Sequence, residues 1–271
     1  MSDADNNANE EREAFDRDST SNTLTIAIGL SLVCSILVAG AAIMLKPIQE
    51  MNEVRFRQRI ILDVAGLLEP GADIEQGLER IEARVVELET GEYVESIDAN
   101  NFDPIAAANE PDTSVRIPEE LDIGKIKRRA IYAPVYLVSD GGELSQIILP
   151  VRGTGLWSTL YGYLALEPDG ETVSGLQFYD HAETPGLGDQ IEDPEWQAQW
   201  VGKKIYGDDG QPRMEVVRGT VADGNPYVQH QVDGLSGATL TGRGVMNLVR
   251  YWTGPHGYGP YLEQYRQAKG T

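Results

Sequence analysis

The chain has 271 residues, with 43 acidic against 22 basic side chains and a formal net charge of −21. That balance argues against nucleic acid as a partner, since no basic excess exists to release counterions from phosphates, and it disfavours docking on anionic headgroups. One cysteine makes no internal disulfide, iron–sulfur cluster or Cys-rich zinc site, and His181, His230 and His256 are too scattered for a metal motif.

Residues 1–23 hold 7 Asp/Glu and 2 Arg and read as a disordered acidic tail. Leu24 to Leu45, LTIAIGLSLVCSILVAGAAIML, follow as 22 residues without a charge. At 1.5 Å per residue this run spans about 33 Å, enough for a hydrocarbon core of about 30 Å. A cleaved signal peptide needs a basic lead-in and a shorter apolar run, so the expectation is a retained single-span anchor with Cys34 as a small packing residue. Arg12 and Arg17 precede the span; Lys46, Arg55, Arg57 and Arg59 follow it, interleaved with Glu50, Glu53 and Asp63. Counted alone, the basic residues place the carboxyl-terminal body in the cytoplasm.

Residues 46–128 read as a stalk helix and an accessory segment. Ile48, Met51, Val54, Ile61, Val64 and Leu68 keep helical spacing. Ile74, Leu78, Ile81 and Val85 predict a second short helix, ended near Thr90-Gly91. Pro104, Pro111 and Pro118 make residues 98–122 a loop. Residues 129–271 read as one domain. AIYAPVYLV, SQIILPVRG, LWSTLYGYLALE and VSGLQFYDH predict strands, and Asp193-Pro194-Glu195 starts a helix bearing Trp196 and Trp200. Strands resume near Met214–Val221 and Tyr227–Val232. A final helix puts Val245, Leu248, Val249 and Trp252 on one face and stops at Gly254-Pro255. The fold class is α+β: a single transmembrane helix and stalk, then a mixed α+β domain.

Three runs could carry chemistry. In Asp233-Gly234-Leu235-Ser236-Gly237-Ala238-Thr239-Leu240-Thr241, small residues bring backbone close to something at the start of the last helix, where amide donors favour a phosphate. An ordinary glycine turn with hydroxyl caps explains the same residues. In His181-Ala182-Glu183-Thr184-Pro185-Gly186-Leu187-Gly188, Pro-Gly and Gly-x-Gly enforce a tight loop after a strand, with His181 a hydrogen-bonded structural residue. In Leu149-Pro150-Val151-Arg152-Gly153-Thr154-Gly155-Leu156-Trp157-Ser158 a glycine turn joins two strands; Arg152 pairs with a carboxylate or phosphate, or simply ends a strand, and Trp157 reads as core.

D-G-L-S-G-A-T-L-T resembles the flavinylation motif in which a threonine is joined through its hydroxyl to FMN phosphate. H-A-E-T-P-G-L-G resembles a loop of the same flavoproteins that lies near the isoalloxazine ring. With L-P-V-R-G-T-G-L-W-S, the anchor string LSLVCSI and the stalk's ILDVAGL, the resemblance from about residue 24 to 265 is to the C subunits of the sodium-translocating NADH:quinone reductases. It implies covalent FMN on Thr239, with Asp233, Ser236, Gly237 and Ala238 in the recognition loop. It also implies cofactor binding by Glu183, Thr184, Pro185, Gly186, Leu187 and Gly188, near the ring, and by Gly155, Leu156, Trp157 and Ser158. The implied role is electron relay towards quinone, with other membrane subunits and a flavin transferase as partners. The implied place is the bacterial inner membrane, crossed once, with the body in the periplasm; this is preferred to the basic-residue count. No dinucleotide fingerprint follows an early strand, so NADH oxidation is expected elsewhere, and an uncharged single span offers no ion path. The flavin subunit of the Rnf complex is the related alternative. A flavin-free anchored binding domain is the alternative of another class.

Overall fold

A computed structural model describes residues 20–68 and 74–269; most of the expected acidic tail lies outside the described residues. The chain divides into two compact units between Arg55 and Phe56. Helix α1 (Thr20–Val64) begins ahead of the expected Leu24, and Thr25 Oγ1 donates to the Ser21 carbonyl at 2.8 Å. Its apolar stretch is long and apolar enough to cross a membrane, and none of that stretch is buried. The helix ends at Gly66 (φ +69°), where Leu67 N donates to the Leu62 carbonyl at 2.8 Å. This is the left-handed cap that glycine makes without steric cost.

In chain order the second unit then contains α2 (Ile74–Glu79), β1 (Ile81–Glu87), α3 (Pro104–Asn109), β2 (Ser114–Arg116), β3 (Arg128–Ala130) and β4 (Tyr132–Asp140). There follow β5 (Glu143–Thr154), β6 (Thr159–Leu166), β7 (Val173–Asp180), α4 (Pro194–Ala198), β8 (Glu215–Val216), β9 (Gln231–Val232), α5 (Thr239–Thr253) and α6 (Gly259–Lys269). The main sheet is antiparallel in the order β1-β4-β5-β6-β7. Strand periodicity explains the two-sided burial of β5. Ile147, Leu149 and Val151 join the core under α5, with Val245, Leu248, Val249 and Trp252. Ile148 points the other way, to a smaller cluster with Ile61, Val64 and Ala65. Gly175 lets that helix end approach, since a Cβ there would stand 2.9 Å from the Val64 carbonyl oxygen. Tyr163 and Tyr179 stack on the same face at 5.2 Å; burial pushes the Tyr179 phenol up to about 12, against the pull of the Arg57 guanidinium.

Several expectations change. The helical stripe from Ile74 stops at Glu79, and Ile81 and Val85 lie in β1, paired with Val138 and Pro134. The β-branched run IEARVVE takes an edge-strand place that local spacing did not reveal. β1 belongs to the same sheet as the strands after residue 129, so the accessory segment and the domain share one core. The 98–122 loop holds α3, because Asp103 accepts from Ile105 N and Ala106 N ahead of Pro104, a strong helix start. The strands after Met214 shrink to the two-residue parallel pair β8 and β9. Beyond Gly254-Pro255 a further helix, α6, docks through a ring of phenols: Tyr93 Oη lies 2.8 Å from Tyr261 Oη and 3.0 Å from Tyr265 Oη.

Candidate functional site at the start of α5

Glu183 ties three distant segments together. It is buried, and its Oε1 accepts from the amides of Leu156 (3.0 Å), Trp157 (2.9 Å) and Ser158 (3.4 Å). Its Oε2 accepts from the hydroxyl of Thr241, in the first turn of α5 and fully buried. A buried carboxylate is costly unless its lone pairs are filled, and here both oxygens are engaged. Ser158 Oγ returns the tie by accepting from Ala182 N at 2.7 Å. Glycines make the convergence possible. A Cβ on Gly155 would lie 2.5 Å from Glu183 Oε1, and one on Gly188 would lie 2.8 Å from Thr241 Oγ1. Gly244, one turn into α5, leaves room for the Thr154 carbonyl, which a Cβ would meet at 2.6 Å.

The Asp233–Thr241 run is held as firmly. Asp233 N donates to Gln199 Oε1 (2.9 Å), its carbonyl accepts from Trp196 Nε1 (2.9 Å), and its carboxylate accepts from Val221 N (2.7 Å). Gly234 passes so close to β8's continuation that a Cβ would stand 2.2 Å from the Val217 carbonyl oxygen. Gly237 takes φ +71°, beside the Leu187 side chain, and Gln190 Nε2 reaches both the Gly186 carbonyl (3.2 Å) and the Ser236 carbonyl (3.5 Å). Within the tight loop, Leu187 N donates to the Thr184 carbonyl at 3.1 Å across Pro185 and Gly186. Ala238 is buried at the helix cap, while Thr239, the first residue of α5, is exposed.

Thr239 opens on a cleft of about 760 Å³, lined also by Asp233, Ser236, Gly237, Arg218 and Arg243. Arg243 stands one turn beyond Thr239, and neither arginine has an ion-pair or side-chain hydrogen-bond partner among the described residues. Free amides at a helix start, an exposed hydroxyl and two unpaired guanidiniums together suit a phosphate group. Leu156, Trp157, Leu187 and Leu240, on the same loops and helix start, are exposed apolar side chains.

The sequence-predicted residues therefore assemble, with two corrections. Trp157 is not core: it is 69% exposed, because Glu183 draws its backbone amide inward and leaves the indole outside. Arg152 does not line the cleft at Thr239; its Nη2 donates to the Arg128 carbonyl at 2.9 Å, and it is half-buried. His181 is hydrogen-bonded within the loop. Its Nδ1 accepts from Glu183 N at 3.2 Å, so the neutral ring carries its proton on Nε2, 3.0 Å from Glu192 Oε1 though poorly aligned for a hydrogen bond. Thr241, Gln190, Trp196, Arg218 and Arg243 were not singled out for the site. Arg243 could have been found, since it lies four residues after Thr239 on a helix. Arg218 had no local signal.

The fold and site define a flavin-binding domain: residues 155–254 match the family model described as FMN-binding domain. Across nearly the whole chain the likeness is narrower. The C subunit of the Na(+)-translocating NADH-quinone reductase of Pseudomonas aeruginosa is 46% identical over 257 residues, covering 93% of this chain and 98% of that protein. Its namesake from Neisseria meningitidis serogroup A is 46% identical, covering 94% and 97%. The crystal structure of Shewanella oneidensis NqrC superposes with a TM-score of 0.74 at 37% identity, covering 80% of this chain and 99% of that one. The chain belongs to the C-subunit family of the Na(+)-translocating NADH-quinone reductases, which are oxidoreductases.

Proposed function

We propose that this chain carries FMN as a phosphoester on Thr239 Oγ1 and relays electrons within a membrane-bound sodium-translocating NADH:quinone reductase, towards quinone. The observation that carries the reading is the exposed Thr239 hydroxyl at the start of α5, in one cleft with the unpaired Arg218 and Arg243. Bound there, FMN supplies reversible electron exchange. The chain's own residues bind and orient. Amides at the start of α5 and the two guanidiniums hold phosphate charge. Glu183 fixes the Leu156–Trp157–Ser158 turn, whose exposed apolar side chains would be available to contact the ring. Gly237 and Leu187 keep the two loops in register. A flavin transferase makes the bond, and the other membrane subunits supply and remove the electrons.

The apolar helix then serves as a single-span anchor in the bacterial inner membrane, with the domain in the periplasm; a carboxyl-terminal alkaline phosphatase fusion should be active. The chemistry is tested by intact mass of the chain coexpressed with a flavin transferase. One FMN adduct is expected, absent in Thr239→Ala along with in-gel flavin fluorescence. An unmodified chain, or fluorescence retained in the variant, overturns the reading.

A further inference from the structure

On a chain of net charge −21, one surface has the opposite sign. A cleft of about 1000 Å³ is lined by Arg116, Lys125, Lys127 and Arg128, against the carboxylates of Glu119 and Asp122. Asp122 is already committed: its side chain accepts from Ile126 N (2.9 Å) and Lys127 N (2.8 Å). Arg116, Lys125 and Lys127 are exposed and have no side-chain partner among the described residues. Lys125 and Lys127 both take left-handed backbone, φ +53° and +64°, a conformation that costs a non-glycine residue about 1 kcal/mol or more. Between them Ile126 packs on the core, so the strained turn leaves both ammonium groups outside. Val115, Leu121 and Ile123 are exposed among these cations.

The position of this loop gives it a use. Thr154 N donates to the Gly124 carbonyl (2.9 Å) and Thr154 Oγ1 to the Lys125 carbonyl (3.0 Å). The basic loop is therefore bonded to the residue that precedes Gly155-Leu156-Trp157, the turn with the exposed apolar side chains. Apolar groups bordered by uncommitted charge are the composition of a protein-docking surface, and charge of one sign speeds encounter with a partner of the other.

We propose that Arg116, Lys125 and Lys127 form the docking surface for an acidic face of the redox protein that delivers electrons to this subunit's flavin. The proposal rests on the flavin reading above, so intact mass is measured first; a wild-type chain without an FMN adduct is a failure of that reading and not of this one. The test is made in the purified complex with Arg116→Glu, Lys125→Glu and Lys127→Glu combined. The rate at which NADH reduces this flavin is followed by stopped-flow absorbance, with a Thr239→Ala complex as blank, across ionic strength. The wild-type rate should fall as salt rises, and the variant, with full flavin content, should be about tenfold slower at low salt with a flattened slope. If the triple variant fails to fold or take up flavin, Lys125→Gln with Lys127→Gln replaces it, with about a threefold loss at low salt expected. An unchanged rate and slope overturns the proposal. So does a flavinylated variant that drops out of the complex, which makes the surface a permanent contact. A wild-type slope that vanishes in purely zwitterionic lipid assigns the charges to headgroups and also overturns it.

Discussion

Glu183 and Thr241, 58 positions apart in the chain, share a buried side-chain hydrogen bond that joins the loop after β7 to the first turn of α5. The other carboxylate oxygen takes the three amides of the 156–158 turn. One side chain thus sets the relative placement of the 156–158 turn, the loop after β7 and the start of α5. Glu183→Ala strands those donors and should cost about 2–4 kcal/mol, seen as a lower Tm. Glu183→Gln keeps one accepting oxygen, and the Thr241 hydroxyl can turn to accept from the new amide, so its loss should be less than half as large. A double-mutant cycle with Thr241→Val should give a coupling of about 1 kcal/mol or more. Additive losses would contradict the shared bond.

Two glycines of the Asp233–Thr241 run should respond differently to alanine. Gly237→Ala meets only the end of the flexible Leu187 side chain, but must hold φ +71°, at about 1 kcal/mol. Gly234→Ala places its Cβ 2.2 Å from a backbone carbonyl oxygen that cannot swing away, and should cost about 2–3 kcal/mol. Chemical denaturation of the two variants orders them. Flavin uptake in Gly234→Ala should fall with stability, as the loop that presents Thr239 shifts.

Arg243→Ala and Arg218→Ala test the phosphate site without touching the attachment residue. Both side chains are exposed and unpaired, so Tm should change by little. The initial rate of flavin attachment by the transferase should drop about tenfold for the pair, on the scale of one or two charge-assisted bonds to phosphate. Lysine at position 243 should restore part of that rate, as a point charge lacking the fork of the guanidinium. Attachment at the wild-type rate in the double alanine variant would remove the arginines from the site.

Alkaline pH should loosen the tyrosine face of the sheet. The Tyr179 phenol is pushed up to about 12 by burial, above its ordinary value of 10.0. A raised folded-state value means that the neutral form is favoured in the fold. The associated stability is complete below pH 10 and is lost as pH climbs from 10 towards 12. Tyr179→Phe should therefore show a shallower fall in denaturation midpoint across that window, measured with the flavin attached. An identical slope would assign the alkaline loss to other phenols.

The site was legible in the sequence where chemistry is local. A hydroxyl at the start of a helix, glycines at left-handed or crowded positions, and an uncharged 22-residue run each carry their meaning in a short window. The alternation of β5 and the one-sided face of α5 were readable for the same reason. β1 was misread because Ile74 to Val85 satisfies a helical spacing until β4 offers it a partner. α6 was missed because a Gly-Pro stop hid a helix whose burial depends on Tyr93, far away in the chain.

By itself the sequence determined the anchor-length helix, the run of strands β4 to β7, helix α5, and the three glycine-containing runs proposed to hold the flavin. Only the tertiary structure decided that Glu183 is the tie between them, that Trp157 faces out, that Arg152 is spent on a backbone carbonyl, and that Arg218 joins Arg243 beside Thr239. It also revealed what the net charge concealed, since a sum of −21 says nothing of where the few cations gather. The physical reason is common to all of these. Backbone propensity acts over a few neighbouring residues, whereas hydrogen-bond partners, burial and local field are set by groups that meet only when the chain is folded.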